Sequence, residues 1–344
     1  MENAGEKRSN IAQNEILDAM RKPETYDEAV SGEIRIKETH ISWVFLTGKY
    51  AYKVKKPVNF GFLDFTTLEK RKFYCEEEIR VNKPLCGDMY IEVVPINKNK
   101  GIKIKGEGET IEYAVKMKEF PQEKIMSFML KKNEVKNEHI VEIARLLAEF
   151  HEKAKTGKGV DEYGSLKQVK FNWIQNFDQT REFKNIVFKK EKFDFIENKI
   201  MNFMKNNQRL FERRVEEGRV RECHGDVHSG NIFIVDKIYI FDAIEFNKAF
   251  KCSDVAAEIA FLAMDLEFHG RNDFSKLFVE NYIELSKDEE LLQLLEFYKC
   301  YRAYVRAKVT SFKLNQDISQ KEKEQAKELA RKYFDLAYEY ARRL

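Results

Sequence analysis

Paired cysteines are missing from this sequence. The five cysteines, Cys75, Cys86, Cys223, Cys252 and Cys300, are scattered, odd in number and form no C-x-x-C pair. Neither a disulfide framework nor a zinc site is indicated, which favours a reducing compartment. An excess of one charge is missing too: 61 basic and 58 acidic side chains leave a net +3. That balance gives no support for a nucleic-acid or membrane-surface partner. No run of about 18 apolar residues is present to span a membrane, and the opening MENAGEKRSN lacks the apolar core of a signal peptide. The expected location is cytoplasmic. Glycine-rich phosphate motifs are absent as well, with neither G-x-G-x-x-G nor G-x-x-x-x-G-K-S/T anywhere in the chain. What remains is a globular composition, 43% hydrophobic and 35% charged over 344 residues, enough for two or three domain-sized units and a sizeable core.

The chemistry-bearing residues concentrate between Arg221 and Leu266. A loop, His224 to Asn231, is followed by the apolar run Ile232 to Val235. Asp236-Lys237 turns the chain into a second run, Ile238 to Phe241, which ends on Asp242. Two short β-rich runs joined by a two-residue polar turn signal a hairpin. Asn231 would stand just before one strand and Asp242 at the end of its partner, with Asp226 on the feeding loop. One acid, one amide and a second acid are thereby expected at one end of a ribbon. Phosphoryl transfer uses such a set: an Asp that orients the acceptor hydroxyl and takes its proton, with an Asn and a second Asp for the magnesium ions. Mg²⁺ takes oxygen ligands, commonly one or two carboxylates with substrate oxygens and water completing the shell. Asp226 between two histidines also suggests a metal-dependent hydrolase, although the further His, Cys or carboxylate ligands of such a site are not evident.

The segment HGDVHSGNIFI, followed by IYIFDAIEF, resembles the catalytic segment of the aminoglycoside phosphotransferase and choline kinase superfamily, small-molecule relatives of the protein kinases. It is most similar to bacterial aminoglycoside-phosphotransferase-like proteins of undefined substrate. His-Gly-Asp stands where protein kinases have His-Arg-Asp, and an Asn follows five residues after the Asp in both. The resemblance implies Asp226 as catalytic base and Asn231 and Asp242 as Mg²⁺ ligands. One departure is that the Gly following this Asp in protein kinases is absent. Asp242 precedes Ala243-Ile244-Glu245, and Glu245 becomes a secondary candidate for metal or acceptor contact.

Upstream, Ile34-Arg35-Ile36, Ile41 to Leu46 and Tyr50 to Lys55 read as strands, the last two joined by a Thr47-Gly48-Lys49 turn. Tyr-Ala-Tyr-Lys resembles the Val-Ala-Ile-Lys strand of the kinase fold, whose lysine contacts the α- and β-phosphates. This implies Lys53 for that role, with Lys55 on the same face by the period of two. A helix from Leu68 to about Lys83, capped by Thr66 or Thr67, would supply the Glu that pairs with the lysine. Among Glu76, Glu77 and Glu78, Glu78 lies nearest the buried face that includes Val81 and Leu85. Strands Tyr90 to Ile96 and Ile111 to Met117 flank a Lys/Gly/Glu-rich tip, Asn97 to Glu109. A strand ending at Pro121 marks a boundary, and the resemblance implies that backbone near Met117, Glu119 and Phe120 binds the adenine edge. The loop Glu38 to Ser42 would cover the phosphates in place of a glycine-rich loop, through Thr39 and Ser42.

Beyond the boundary the pattern is helical: His139 to Lys153, Phe171 to Phe183, Phe193 to Phe211, Val255 to Phe268 with Asp254 as N-cap, Phe274 to Leu285, Leu291 to Phe312 and Lys321 to Arg343. In the superfamily the Asp at the Asp254 position also ties down the catalytic loop. Glu258, Asp265 and Glu267 are candidates for an acidic acceptor pocket. The expected architecture is α+β, a two-lobed protein-kinase-like fold. It comprises an N-terminal helical extension (1–30), a small antiparallel-sheet N-lobe (31–118) and a large helical C-lobe (119–344). The implied activity is ATP- and Mg²⁺-dependent transfer of the γ-phosphoryl group to a hydroxyl of a small molecule. A catalytically weak pseudokinase or nucleotide-sensing regulator is the alternative, for which the missing glycine loop argues. Fold analogy does not name the acceptor, and oligomeric state is not readable.

Overall fold

A six-stranded antiparallel sheet organises one part of the chain and helices the other. The computed structural model describes residues 13–344. The chain forms two compact units: one runs to Ile125 and takes in Phe233–Asn247, and the other comprises Met126–Ile232 and Lys248–Leu344. Within the expected N-terminal helical extension residues 13–20 are helical, and residues 1–12 lie outside the described residues.

In the first unit the strands are β1 (Arg35–Glu38), β2 (Ser42–Leu46), β3 (Tyr50–Lys55), β4 (Tyr90–Lys98), β5 (Ile102–Ile104) and β6 (Glu109–Lys118). Their order in the sheet is β1-β2-β3-β6-β4-β5. β5 arises inside the expected Lys/Gly/Glu-rich tip, because Ile102 and Ile104 alternate with lysine and Ile104 is buried. The β2–β3 turn depends on Gly48, whose φ is +93° and where a Cβ would stand 2.6 Å from the Ser31 carbonyl oxygen.

Both faces of the sheet are covered. Phe45, Tyr52, Val54 and Ala114 pack with Ile16 and Met20 on one side. Ala51, Val115 and Met117 pack with Cys75 and Cys86 on the other. The latter two belong to the helix Leu68–Cys86, where the Thr67 hydroxyl caps the amide of Lys70. This helix runs three residues past the expected Lys83, since Pro84 falls in the last turn and Gly87 (φ +49°) ends it.

The second unit is built on helices Asn137–Lys153, Leu166–Thr180, Lys190–Asn206, Gln208–Glu216, Val255–Phe268, Asn272–Ser286, Leu292–Ser311 and Gln320–Arg342. The stretch Phe193 to Phe211, expected as one helix, is interrupted at Asn207, which serves as C-cap of one helix and N-cap of the next. Trp173 sits at the core with Phe177, Phe297 and Tyr304 at ring-centroid separations of 5.2 to 5.9 Å. A short ribbon pairs Val220–Glu222 with Cys252–Asp254. At its end Asp254 accepts the Ala256 amide at 2.8 Å, capping the helix Val255–Phe268. Buried Arg214 holds Asp254 through two hydrogen bonds of 2.9 and 2.7 Å and also pairs with Asp288. This pinned junction fixes both the start of that helix and the loop leaving the ribbon. No helix among the described residues is long and apolar enough to cross a membrane.

Candidate active site

In the first unit, the pleat of β3 directs Lys53 and Lys55 to the face opposite Tyr52 and Val54. The helix Leu68–Cys86 buries Arg71, Cys75, Glu78, Asn82 and Leu85, a stripe at steps of three and four residues. Glu78 lies on that stripe and is fully buried. Glu77 turns instead to Arg80 at 2.9 Å, and Glu76 lies largely exposed. The choice between Lys53 and Lys55 resolves into a shared carboxylate. Glu78 Oε1 meets Lys53 Nζ at 2.7 Å and Oε2 meets Lys55 Nζ at 2.6 Å.

The two lysines then diverge. Lys55, 1% exposed, pairs on its other side with Glu245, so Glu245 braces a lysine rather than presenting a free carboxylate to metal or acceptor. Lys53, 12% exposed, reaches Asp242 Oδ1 at 2.7 Å. Burial alone would discharge these groups. Against burial, Asp242 and Glu78 hold the Lys53 ammonium well above its ordinary range. Lys53 and Lys55 likewise override burial at Glu78 and keep its carboxyl well below the usual range. At Glu245 burial wins and the carboxyl is raised.

Asp242 has φ +65°, in the left-handed region. Asp tolerates this better than most residues, at a cost of about 1–2 kcal/mol. Ala243 is not among the positive-φ residues, so the segment dispenses with a glycine after the acid. The conformation is held in place: the Asp242 amide donates to Tyr90 Oη at 3.2 Å, and the Ala243 amide to Asn82 Oδ1 at 2.9 Å. Asn82 in turn donates to the Glu78 carbonyl at 2.8 Å, so the loop is anchored to the turn that carries the ion-paired glutamate.

Ser42 begins β2 and is buried, with its hydroxyl 3.0 Å from that of Thr39. Thr39 also accepts the Ser42 amide at 3.0 Å and donates its own amide to the Ser42 carbonyl. The two hydroxyls thus hold the β1–β2 turn closed. At the end of β6, Met117 pairs with Ala51 and Tyr90. The Glu119 carboxylate accepts from Arg35 at 2.6 Å and from the Gly48 amide at 2.7 Å, and its own amide donates to the Lys49 carbonyl. The Phe120 ring lies against Phe233 and Tyr239.

In the second unit, the loop His224 to Asn231 is held in part by its own side chains. Asn231 Nδ2 donates to Asp226 Oδ2 at 3.0 Å and to the Asp226 carbonyl at 3.1 Å. Both partners are acceptors only, which fixes the amide nitrogen towards them and leaves the amide oxygen outward. His224 Nδ1 accepts the Asp226 amide and His228 Nδ1 the Gly230 amide, so both imidazoles structure the loop. His228 Nε2 stands 3.5 Å from Asp226 Oδ2. Burial would raise the Asp226 carboxyl, but His228, Arg306 and His224 together hold it far below the usual carboxylate range. His228 is raised in return: burial opposes the charge and Asp226 outweighs it. Asp226 is therefore ionised across the physiological range.

The loop is anchored by residues the sequence left in other roles. Glu258, fully buried, accepts the Gly225 amide at 2.6 Å and the His224 amide at 3.2 Å. His151 binds the same carboxylate at 2.7 Å, and its other nitrogen meets Tyr282 Oη at 2.8 Å. Asp265 accepts the Ser229 amide at 2.8 Å. Glu267 is held by Lys299, Ser275 and Tyr340. All three acids are engaged within the fold, Glu258 and Asp265 by backbone amides of the loop and Glu267 by side chains. Direct support of the loop, expected of Asp254, comes from Glu258 one turn later. Arg302, donating to the Gly225 and Ala257 carbonyls at 3.2 and 3.0 Å, was not anticipated at all. His151 had a legible signal: it follows Ile140, Ile143, Ala144 and Leu147 on the buried stripe of its helix. His151, Cys223 and Glu258 are the His/Cys/carboxylate group close enough to share an ion among the described residues. Asp226 is not part of it, and its glutamate is already engaged by backbone amides.

The structure thus gathers Lys53, Lys55, Glu78, Asp242 and Glu245 in the first unit and Asp226, Asn231 and His228 in the second. The chain has the fold of the choline/ethanolamine kinases and the aminoglycoside phosphotransferases. Aminoglycoside 2'-phosphotransferase-IIIa, in a GDP complex, superposes with a TM-score of 0.54 at 10% identity over 90% of this chain and 94% of its own. A Plasmodium vivax ethanolamine kinase gives 0.52 at 12% identity over 96% and 95%. A choline/ethanolamine kinase family protein from Mesorhizobium loti gives 0.51 at 8% over 92% and 94%. In sequence, the chain is 32% identical over 284 residues to uncharacterized proteins of Mycobacterium tuberculosis and Mycobacterium bovis. The match covers 82% of this chain and 56% of theirs, so the chain spans about half the length of these relatives. No protein-family profile matches it.

Proposed function

We propose that this protein is a phosphotransferase that moves the γ-phosphoryl group of ATP to a hydroxyl of a small molecule. The observation that carries the proposal is the Glu78 carboxylate bridging Lys53 and Lys55, with Lys53 continuing to Asp242. A kinase-like site needs a lysine held by a helix glutamate towards the phosphates and beside the metal-binding aspartate. Lys53 is the partner for the α- and β-phosphates, Glu78 sets its position, and Lys55 with Glu245 is the fixed brace behind. Asp226 orients the acceptor hydroxyl and takes its proton. The backbone of Met117 to Phe120 takes the adenine edge. The β1–β2 turn, closed by Thr39 and Ser42, covers the phosphates through its backbone.

Each unit, taken by itself, offers an oxygen donor of the kind magnesium takes. Asn231 offers the outward amide oxygen that its hydrogen bonds to Asp226 leave, and Asp242 offers a carboxylate about half exposed on a strained backbone. When bound, the ion would neutralise phosphate charge that develops during transfer. Neighbour folds that include a phosphotransferase solved with GDP support nucleotide use.

The test is a thermal shift with Mg-ATP, run beside ADP release over a panel of hydroxylated metabolites. A shift plus acceptor-dependent ADP release is expected. A shift without turnover would favour a nucleotide-sensing regulator, and no shift would contradict both.

A further inference from the structure

We propose that the acceptor taken up beside Asp226 carries an anionic group, a carboxylate or a phosphate ester, and that Arg306 receives it. This rests on the phosphotransferase reading and adds the charge class of the substrate.

Arg302 and Arg306 lie one turn apart on the helix Leu292–Ser311 and therefore share a face. Arg302 holds the carbonyl of Gly225, the residue before Asp226. The Arg306 guanidinium is half-buried and lies over the Tyr333 ring at 5.5 Å, and that ring stacks on Phe268 at 3.9 Å. Its charge acts on both Asp226 and Asp265. Each of those carboxylates is engaged elsewhere: Asp226 by Asn231 and His228, Asp265 by the Ser229 amide and, at 4.0 Å, by His269. Among the described residues the guanidinium rests on an aromatic ring, with no carboxylate in ion-pair contact.

Burial opposes the Arg306 charge, and Tyr333, Asp226 and Asp265 together outweigh it, yet none of the carboxylates occupies its fork as a direct ion-pair partner. That planar fork matches carboxylate and phosphate oxygens. A polycationic acceptor would need the reverse arrangement, unengaged acids around the base. The acids on the neighbouring helix, Glu258, Asp265 and Glu267, are all taken up by backbone amides or side chains. The groups acting on the Asp226 carboxylate, by contrast, are basic ones: His228, whose Nε2 stands 3.5 Å away, Arg306 and His224.

The experiment compares acceptors in triplets of one carbon skeleton: the neutral polyol or sugar, its carboxylate or phosphate ester, and its amine. Binding is read by thermal shift and turnover by ADP release. The anionic member should lead in each productive triplet. Arg306→Met should lower kcat/KM for it by roughly 10- to 100-fold, the value of a charged hydrogen bond. Arg306→Lys should restore part of that, and the KM for Mg-ATP should not follow. Preference for the amine, a panel without an anionic ligand, or an Arg306→Met defect in Mg-ATP rather than acceptor affinity would overturn the proposal. Failure of the wild type to bind Mg-ATP would instead remove the phosphotransferase reading, while thermal shifts with the acceptors alone still report the charge preference.

Discussion

Asp226→Asn is expected to lower acceptor-dependent turnover by roughly 10²- to 10⁴-fold, about 3–5 kcal/mol of barrier, while the fold and nucleotide affinity persist. The amide keeps the size of the side chain and accepts the Asn231 hydrogen bond through its oxygen, so the loop retains its partners. What it loses is the ability to take a proton. Steady-state ADP release at saturating acceptor measures the effect. The pH dependence has a defined sign. His228, Arg306 and His224 hold the wild-type carboxyl far below the ordinary range against the opposing effect of burial. The basic form is therefore present from acid pH upward, and protonation of Asp226 should give no fall in rate across the usual carboxylate range near pH 4.

Glu78→Gln should have the largest effect on stability together with a loss of nucleotide affinity. The carboxylate is fully buried and touches two lysines, one 1% and the other 12% exposed. Removing one partner of a buried ion pair costs roughly 3–5 kcal/mol, because it leaves charge without compensation. Lys55 retains Glu245 and Lys53 retains Asp242, which places the expected loss near the lower end of that range. Denaturant unfolding monitors the stability, and Mg-ATP titration the affinity. A change below 1 kcal/mol would contradict the bracing role. Since the Glu78 carboxyl is held low, its contribution is present above the ordinary carboxylate pKa and is lost as pH falls from there towards 2. Glu245 runs in the opposite sense: its raised carboxyl makes the charged form costly at neutral pH, and that cost is relieved on acidification.

Much of this arrangement was legible because it is local. The period of two puts Lys53 and Lys55 on one face of β3. Helical spacing to Val81 and Leu85 selects Glu78 from three consecutive glutamates, although the buried stripe runs through Cys75, Glu78, Asn82 and Leu85 and leaves Val81 at its edge. Asp254 before an apolar run reads as an N-cap and is one. Contacts between residues distant in the chain were not legible. Nothing in the helix Val255–Phe268 distinguishes a glutamate that binds the loop amides of His224 and Gly225 from one that lines a pocket. The distinction lies in where the loop returns, 33 residues away from Glu258 in the case of Gly225. Arg214 bridging Asp254 and Asp288 is hidden for the same reason. Lys53 and Lys55 looked like alternatives because sequence spacing assigns faces but not partners. A carboxylate with two oxygens accommodates both.

The most direct test of the account is a calorimetric titration of ATP, with and without Mg²⁺, into the wild type, Asp226→Asn and Asp242→Ala. The assigned roles predict that Asp226→Asn binds Mg-ATP as the wild type does, whereas Asp242→Ala loses the Mg²⁺-dependent part of the affinity. Equal loss in both variants, or wild-type binding indifferent to Mg²⁺, would contradict it.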